Sequence, residues 1–233
     1  MITPRRSDER GAFDFGWLDT KHTFSFGQYQ DPRHMGFGPL RVINEDRVAP
    51  AQGFGMHPHR DMEIVSVVVS GTLEHQDSLG HRGQLGPGEV QRITAGRGVR
   101  HSEYNPSGSE PVHFLQIWIE PREKGLEPGY AQQRFDPVAS RNSLTLLASP
   151  DGAEGSISIN QDVRLFRTGL EPGKKLRHDF APGRRGWVQI ISGSVSLGGV
   201  TLNAGDGASI AQESAVELTG LSSATDVLLF DLP

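Results

Sequence analysis

Short apolar runs, each the length of a strand and each closed by a polar or glycine-bearing turn, recur along the first half of the chain. Runs over residues 40–44, 63–70, 71–77, 89–94, 101–105 and 112–119 predict strands. The turns Ser78-Leu79-Gly80 and Gly86-Pro87-Gly88 separate them, and this rhythm predicts a β-sandwich or barrel. After Pro121 come Gly125, Pro128, Gly129 and Phe135-Asp136-Pro137, a linker by composition.

The second half repeats the first in outline. Val67-Val68-Val69-Ser70-Gly71-Thr72 returns as Gln189-Ile190-Ile191-Ser192-Gly193-Ser194, 122 residues later, and Gly86-Pro87-Gly88-Glu89 is echoed by Asn203-Ala204-Gly205-Asp206. An internal repeat of this kind predicts two tandem units of one architecture. The expected domains are 1–135 and 136–233, both antiparallel β-barrels of jelly-roll type in an all-β protein.

Composition supports that class and narrows the function. Gly and Pro fill 44 of 233 positions without a period, which suits turns, and 35% hydrophobic residues suffice for a core. A net charge of −5 and the absence of a long basic run argue against direct nucleic-acid binding. The cluster Lys174, Lys175, Arg177, Arg184 and Arg185 reads as a solvated face. There is no cysteine, so disulfides and thiolate metal sites are excluded, and a reducing cytoplasm is the expected location. No signal-like core and no apolar run of about 18 residues is present, so neither export nor membrane spanning is expected.

The chemistry is carried by His57-Pro58-His59 and His101-Ser102-Glu103. Residues two apart on a strand share a face. Pairing two such strands therefore aims His57, His59, His101 and Glu103 into one interior, and three imidazoles with one carboxylate suit a divalent transition metal. Gly53, Gly55, Gly96 and Gly98 supply the turns and bulges that bend strands around such a site. Glu63 has the parity of His57 and His59 and stays open as an alternative ligand. Shifting the histidine pair by 122 residues lands on Asp179 and Ala181, with only His178 nearby, so the second barrel is expected to be metal-free.

These motifs resemble those of the cupin superfamily: glycine, His-x-His, then glutamate and glycine in the first, and Gly98, His101 and Asn105 in the second. Within the cupins the chain resembles the pirin family along nearly its whole length. The blocks Gly16-Trp17-Leu18-Asp19, His22-Thr23-Phe24-Ser25-Phe26, Leu40-Arg41-Val42-Ile43-Asn44, Glu74-His75-Gln76-Asp77-Ser78 and Gln116-Ile117-Trp118-Ile119 carry the resemblance beside the histidine motifs. It implies a bicupin with metal ligands His57, His59, His101 and Glu103, the last chosen over Glu63.

The resemblance to bacterial pirin-like quercetin 2,3-dioxygenases implies a metal-dependent oxidoreductase. It would open the central ring of flavonols such as quercetin with O2 and release CO, with Glu103 taking the substrate proton. Fe(II) is the favoured ion, with Ni, Mn, Cu, Co or Zn able to fill such a site. The partners implied are a small phenolic molecule and O2. A metal-binding regulatory protein, or an oxygenase of another phenolic or enediol compound, is the alternative. Phe54, Met56, Val65, Val67 and Trp118 are candidates to enclose a flat ring, His75 and His113 to approach the site or, by default, to take a hydrogen-bonded core or rim role, Arg60 and Asp61 to form a local polar network, and Asn105 to orient the turn after Glu103.

Overall fold

The apolar runs become strands. The computed structural model describes residues 1–136 and 138–233, and in it Glu63–Ser70, Glu89–Thr94 and Val112–Ile119 carry the expected bounds. The first run extends to Leu40–Val48, and the run over 101–105 becomes Val99–Tyr104. Residues 71–77 shorten to Leu73–Asp77 because Gly71 turns the chain at φ 77°. A Cβ there would meet the Pro111 carbonyl oxygen at 2.5 Å. Among the described residues there is no α-helix; two 3-10 turns, Ser7–Glu9 and Ala153–Gly155, are the helical content. Pro137, within the expected linker, lies outside the described residues.

Two compact units form. One contains Gly11–Phe135 and Ile159–Gln161; the other contains Met1–Arg10, Asp136–Ser158 and Asp162–Pro233. Relative to a division after residue 135, two short pieces therefore change sides. Hydrogen bonding explains both. Ile2–Arg5 pairs antiparallel with Gly207–Ile210, Thr3 opposite Ser209, while Asn160 bonds to Glu63.

In the first unit a seven-stranded sheet runs in the order Gly129–Arg134, Glu89–Thr94, Glu63–Ser70, Val112–Ile119, Leu40–Val48, Leu18–His22, Gly11–Asp14. A four-stranded sheet runs Gly53–His59, Val99–Tyr104, Leu73–Asp77, Arg82–Leu85. Two apolar clusters fill the interior. Val68, Leu73, Leu85, Val112 and Phe114 belong to one, and Ile64, Ile93, Ala95 and Val99 to the other.

Alternation along three neighbouring strands inserts a polar layer between these clusters. Ile64-Ser66-Val68, Gln91-Ile93 and Phe114-Gln116-Trp118 each face inward two residues apart. The register sets Ser66 opposite both Gln91 and Gln116, so the three polar positions line up laterally.

The second unit repeats the strand order with different contents. Its seven-stranded sheet has Ile2–Arg5 at one edge, and its four-stranded sheet runs Lys175–Asp179, Ala215–Gly220, Ser194–Leu197, Val200–Asn203. Leu176, Val216 and Leu218 join its apolar core.

Candidate metal centre

Strand pairing brings the two histidine motifs together. Val99–Tyr104 lies between Gly53–His59 and Leu73–Asp77, with His101 opposite His57 on one side and Asp77 on the other. Between His101 and Glu103 the register against the Gly53–His59 strand slips, so that Glu103 faces Phe54. Against Leu73–Asp77 no slip occurs, and Glu103 stands opposite His75. The extra residue thus lies on the Gly53–His59 strand, while regular pairing with Leu73–Asp77 sets Glu103 beside His75.

The ligand atoms of His57, His59 and His101 all lie within 4.8 Å of one another. Their ring centroids are 4.5–4.8 Å apart. His57 Nδ1 lies 2.8 Å from the Gly55 carbonyl oxygen. A carbonyl only accepts, so Nδ1 carries the proton and Nε2 keeps its lone pair. His101 is fully buried and neither of its ring nitrogens has a hydrogen-bond partner. Burial, reinforced by the neighbouring imidazoles, pushes both His59 and His101 down to about 3. At neutral pH these rings are uncharged and able to donate lone pairs to a cation.

Glu103 does not belong to that trio. Its carboxylate joins His101 and His75 in a second group whose ligand atoms also lie within 4.8 Å of one another. Gln91 Nε2 donates to Oε1 at 2.7 Å, Gln116 Nε2 to Oε2 at 2.5 Å, and Ser66 Oγ lies 3.2 Å from Oε1. Hydrogen bonds to a charged group contribute about 1.5–3 kcal/mol each. Desolvating a carboxylate costs several kcal/mol, so this cradle offsets the cost without erasing it. Burial accordingly raises the Glu103 pKa despite His75 and the hydrogen bonds that oppose it. An adjacent cation would complete the compensation, and the unpartnered nitrogens of His101 offer it ligands; the donor set fits a divalent transition metal.

Glu63 lies elsewhere. It is buried, accepts from Thr94 Oγ1 at 3.1 Å and from Asn160 N and Nδ2 at 3.3 Å each, and belongs to neither group. The parity that linked it to His57 and His59 does not survive the break at residues 60–62, which puts it on a different strand.

Of the five apolar residues expected around a flat ring, Trp118 stands edge-on to His59 at 4.8 Å. Phe54 packs against Trp17, Met56 is exposed, and Val65 and Val67 face away from the inward Ser66. Two aromatic residues are added instead: Phe26 stands against Trp118 at 5.2 Å and Tyr130 stacks on His75 at 4.7 Å. Strand alternation alone does not reveal them, because both come from other segments.

The remaining polar residues take local roles. His113 Nε2 pairs with Glu45 at 3.0 Å, and Arg60 with Asp61 at 3.3 Å. Asp61 also accepts from Gly125 N at 2.7 Å. Asn105 Nδ2 donates to the carbonyls of Val48, Ala49 and Glu110 and its Oδ1 accepts from Ser107 N, fixing the loop after Glu103.

In the second unit His178 is tied to Asp231 at 3.0 Å. The strands matching the histidine-bearing pair place Leu176, Val216 and Leu218 in the apolar core, while Asp179, where the 122-residue shift lands, is exposed.

Comparison with known proteins extends this picture. A family model described as Pirin matches residues 5–119, and one described as Quercetinase C-terminal cupin domain matches residues 146–232. The chain is 48% identical to the quercetin 2,3-dioxygenase of Escherichia coli (strain K12), over 100% of this chain and 99% of that protein. It is 40% identical to a pirin-like protein of Caulobacter vibrioides, over 98% and 99% of the two. The crystal structure of the bacterial pirin YhhW from Escherichia coli in complex with nickel(II) superposes with a TM-score of 0.95 at 47% identity, covering 100% of this chain and 99% of that one.

Proposed function

The chain belongs to the pirin family of bicupins, and from that membership we propose that it is a metal-dependent dioxygenase acting on flavonols such as quercetin. The products are a ring-opened ester and CO. The observation that carries this reading is the convergence of half-buried His57 and His59 on fully buried His101, which has no hydrogen-bond partner. His57, His59, His101 and Glu103 are the proposed ligands. Relatives that carry the name quercetin 2,3-dioxygenase support the substrate class, and the nickel(II) complex of a related pirin supports a divalent ion. Fe(II) is the ion we favour, and the reducing cytoplasm the compartment, in keeping with a chain that has no cysteine.

A divalent ion held there supplies Lewis acidity, which lowers the pKa of a phenolic hydroxyl and leaves positions for paired oxygens. The rest falls to the chain. Glu103 receives the hydroxyl proton; burial makes it a stronger base than an exposed carboxylate. Gln91, Ser66 and Gln116 hold its two oxygens in place. Trp118 and Phe26 form an apolar wall beside His59 for a flat ring and help keep water from it.

The test is oxygen uptake with headspace CO, on protein loaded anaerobically with Fe(II) and given quercetin, beside the metal-free protein. Saturable, metal-dependent uptake with matching CO is expected. Uptake no greater than in the metal-free control, with iron bound, overturns the proposal.

A further inference from the structure

We propose that His75, His101 and Glu103 form an inner position for the divalent ion, alternative to the outer position at His57, His59, His101 and Glu103. This rests on the metal-binding reading above and adds a ligand, His75, and a second location. The ligand atoms of the inner trio lie within 4.8 Å of one another, and all three side chains are buried, at 0%, 0% and 1% exposure. They come from two adjacent strands in unbroken register, Glu103 opposite His75.

The protonation pattern points the same way. His75 Nε2 approaches Asp77 Oδ2 at 3.4 Å. Asp77 accepts from Leu79 N, His81 N and the His81 ring, a set of donors that suits an ionised carboxylate. An ionised carboxylate only accepts, so Nε2 carries the proton and Nδ1 the lone pair. That Nδ1 is buried without a partner, as are both nitrogens of His101. No hydrogen bond joins His101 to His75 or to Glu103; neutral His101 keeps its proton on one ring nitrogen, and the lone pair of the other converges with that of His75 and with the Glu103 carboxylate. A cation resolves such an arrangement.

The inner histidine is also held as metal-ligating histidines are, by a carboxylate behind the ring. Asp77 is fixed in turn by Leu79 N at 2.9 Å, His81 N at 3.0 Å and His81 Nδ1 at 2.8 Å. Tyr130 stacks against the His75 ring and sets its plane.

His101 is common to both positions, and electrostatics make them exclusive. Two dications sharing a ligand would stand close enough to repel strongly at the effective dielectric of such sites. One ion with two positions is therefore favoured over two ions.

The experiment uses the full chain and nickel(II), with bound metal and affinity measured by calorimetry and elemental analysis, and folding followed by circular dichroism. The double variant His57→Gln plus His59→Gln is expected to retain one equivalent of nickel(II), more weakly than wild type. Adding His75→Gln abolishes that binding, and adding Asp77→Asn instead weakens it by about 10–100-fold. A folded double variant that binds no more metal than the triple variant, while wild type binds one equivalent, overturns the inner position alone. Wild-type protein that binds no divalent metal overturns the metal-dependent function itself. Should the double variant not fold, anomalous diffraction at the nickel edge on wild-type crystals decides: density in contact with His75 supports the proposal, and density at the outer trio alone overturns it.

Discussion

Gln116 Nε2 donates to Glu103 Oε2 at 2.5 Å, while Gln116 Oε1 lies 2.9 Å from the Ser66 hydroxyl. One side chain thus couples the buried carboxylate to the polar layer between the two apolar clusters. Gln116→Leu keeps the strand but leaves a carboxylate oxygen without its donor. Metal affinity is expected to fall by about 10–100-fold, and stability by about 1–3 kcal/mol. Calorimetric titration with nickel(II) and urea unfolding of the metal-free protein read the two effects separately.

The two buried glutamates are expected to separate cleanly. Glu63→Gln loses acceptor capacity toward Thr94 and Asn160, so its melting temperature falls while its metal content stays at the wild-type level. Glu103→Gln instead lowers metal content and oxygen uptake together. Elemental analysis of both proteins after identical loading is the check; loss of metal in Glu63→Gln alone would restore it as a ligand.

Acid stability should trace to Asp231. Burial raises its pKa, but His178 and Arg184 outweigh that and hold it below the ordinary carboxylate value. A carboxyl whose folded pKa is depressed stabilises the protein above its unfolded pKa of about 3.9. That contribution fades as pH falls through the lower, folded value. Asp231→Asn is expected to cost about 3–5 kcal/mol at pH 7, as removal of one partner from a buried pair does. The difference from wild type should narrow below about pH 4. Urea unfolding of both proteins at several pH values measures it; a pH-independent difference would contradict the assignment.

Gly96 is fixed by both conformation and space. Its φ is +46°, and a Cβ would stand 2.0 Å from the Leu126 carbonyl oxygen. Its own carbonyl accepts from Asp61 N at 2.8 Å. Gly96→Ala must shift backbone and is expected to destabilise by about 1–3 kcal/mol. Gly98→Ala, with nothing within 4 Å, meets only the penalty of its φ and should lose less. Thermal unfolding of the two variants side by side tests the order.

The fold was largely legible because its signals are local. Strands such as Glu63–Ser70 announce themselves as apolar runs, turns such as Gly71 as glycines, and the pairs His57-His59 and His101-Glu103 by a spacing of two that strand alternation converts into one face of each strand. What sequence does not carry is lateral register. Ser66, Gln91 and Gln116 are single polar residues in three strands scattered over 50 positions, and only pairing aligns them beneath Glu103. The one-residue slip that sets Glu103 opposite Phe54, and the pairing that sets it opposite His75, are equally invisible to a spacing rule. Parity misleads when counted through a turn, as with Glu63. It misleads again when a repeat offset is carried too far: Asp179 is exposed, and the matching interior is held by Leu176, Val216 and Leu218.

The pairing of Ile2–Arg5 with Gly207–Ile210 governs the order in which the molecule can be finished. The strand emerges early and waits for a partner some two hundred positions downstream, a closure that local collapse cannot hasten. Cutting the gene after residue 135 would leave this strand on the wrong fragment. The piece from 136 onward would then present the bare backbone of Gly207–Ile210 as a sheet edge, ready to pair with any extended chain it meets. A synthetic peptide of residues 1–10 is the natural plug for that edge, so the boundary best suited to dividing the protein is a circular one, with the first ten residues rejoined after Pro233.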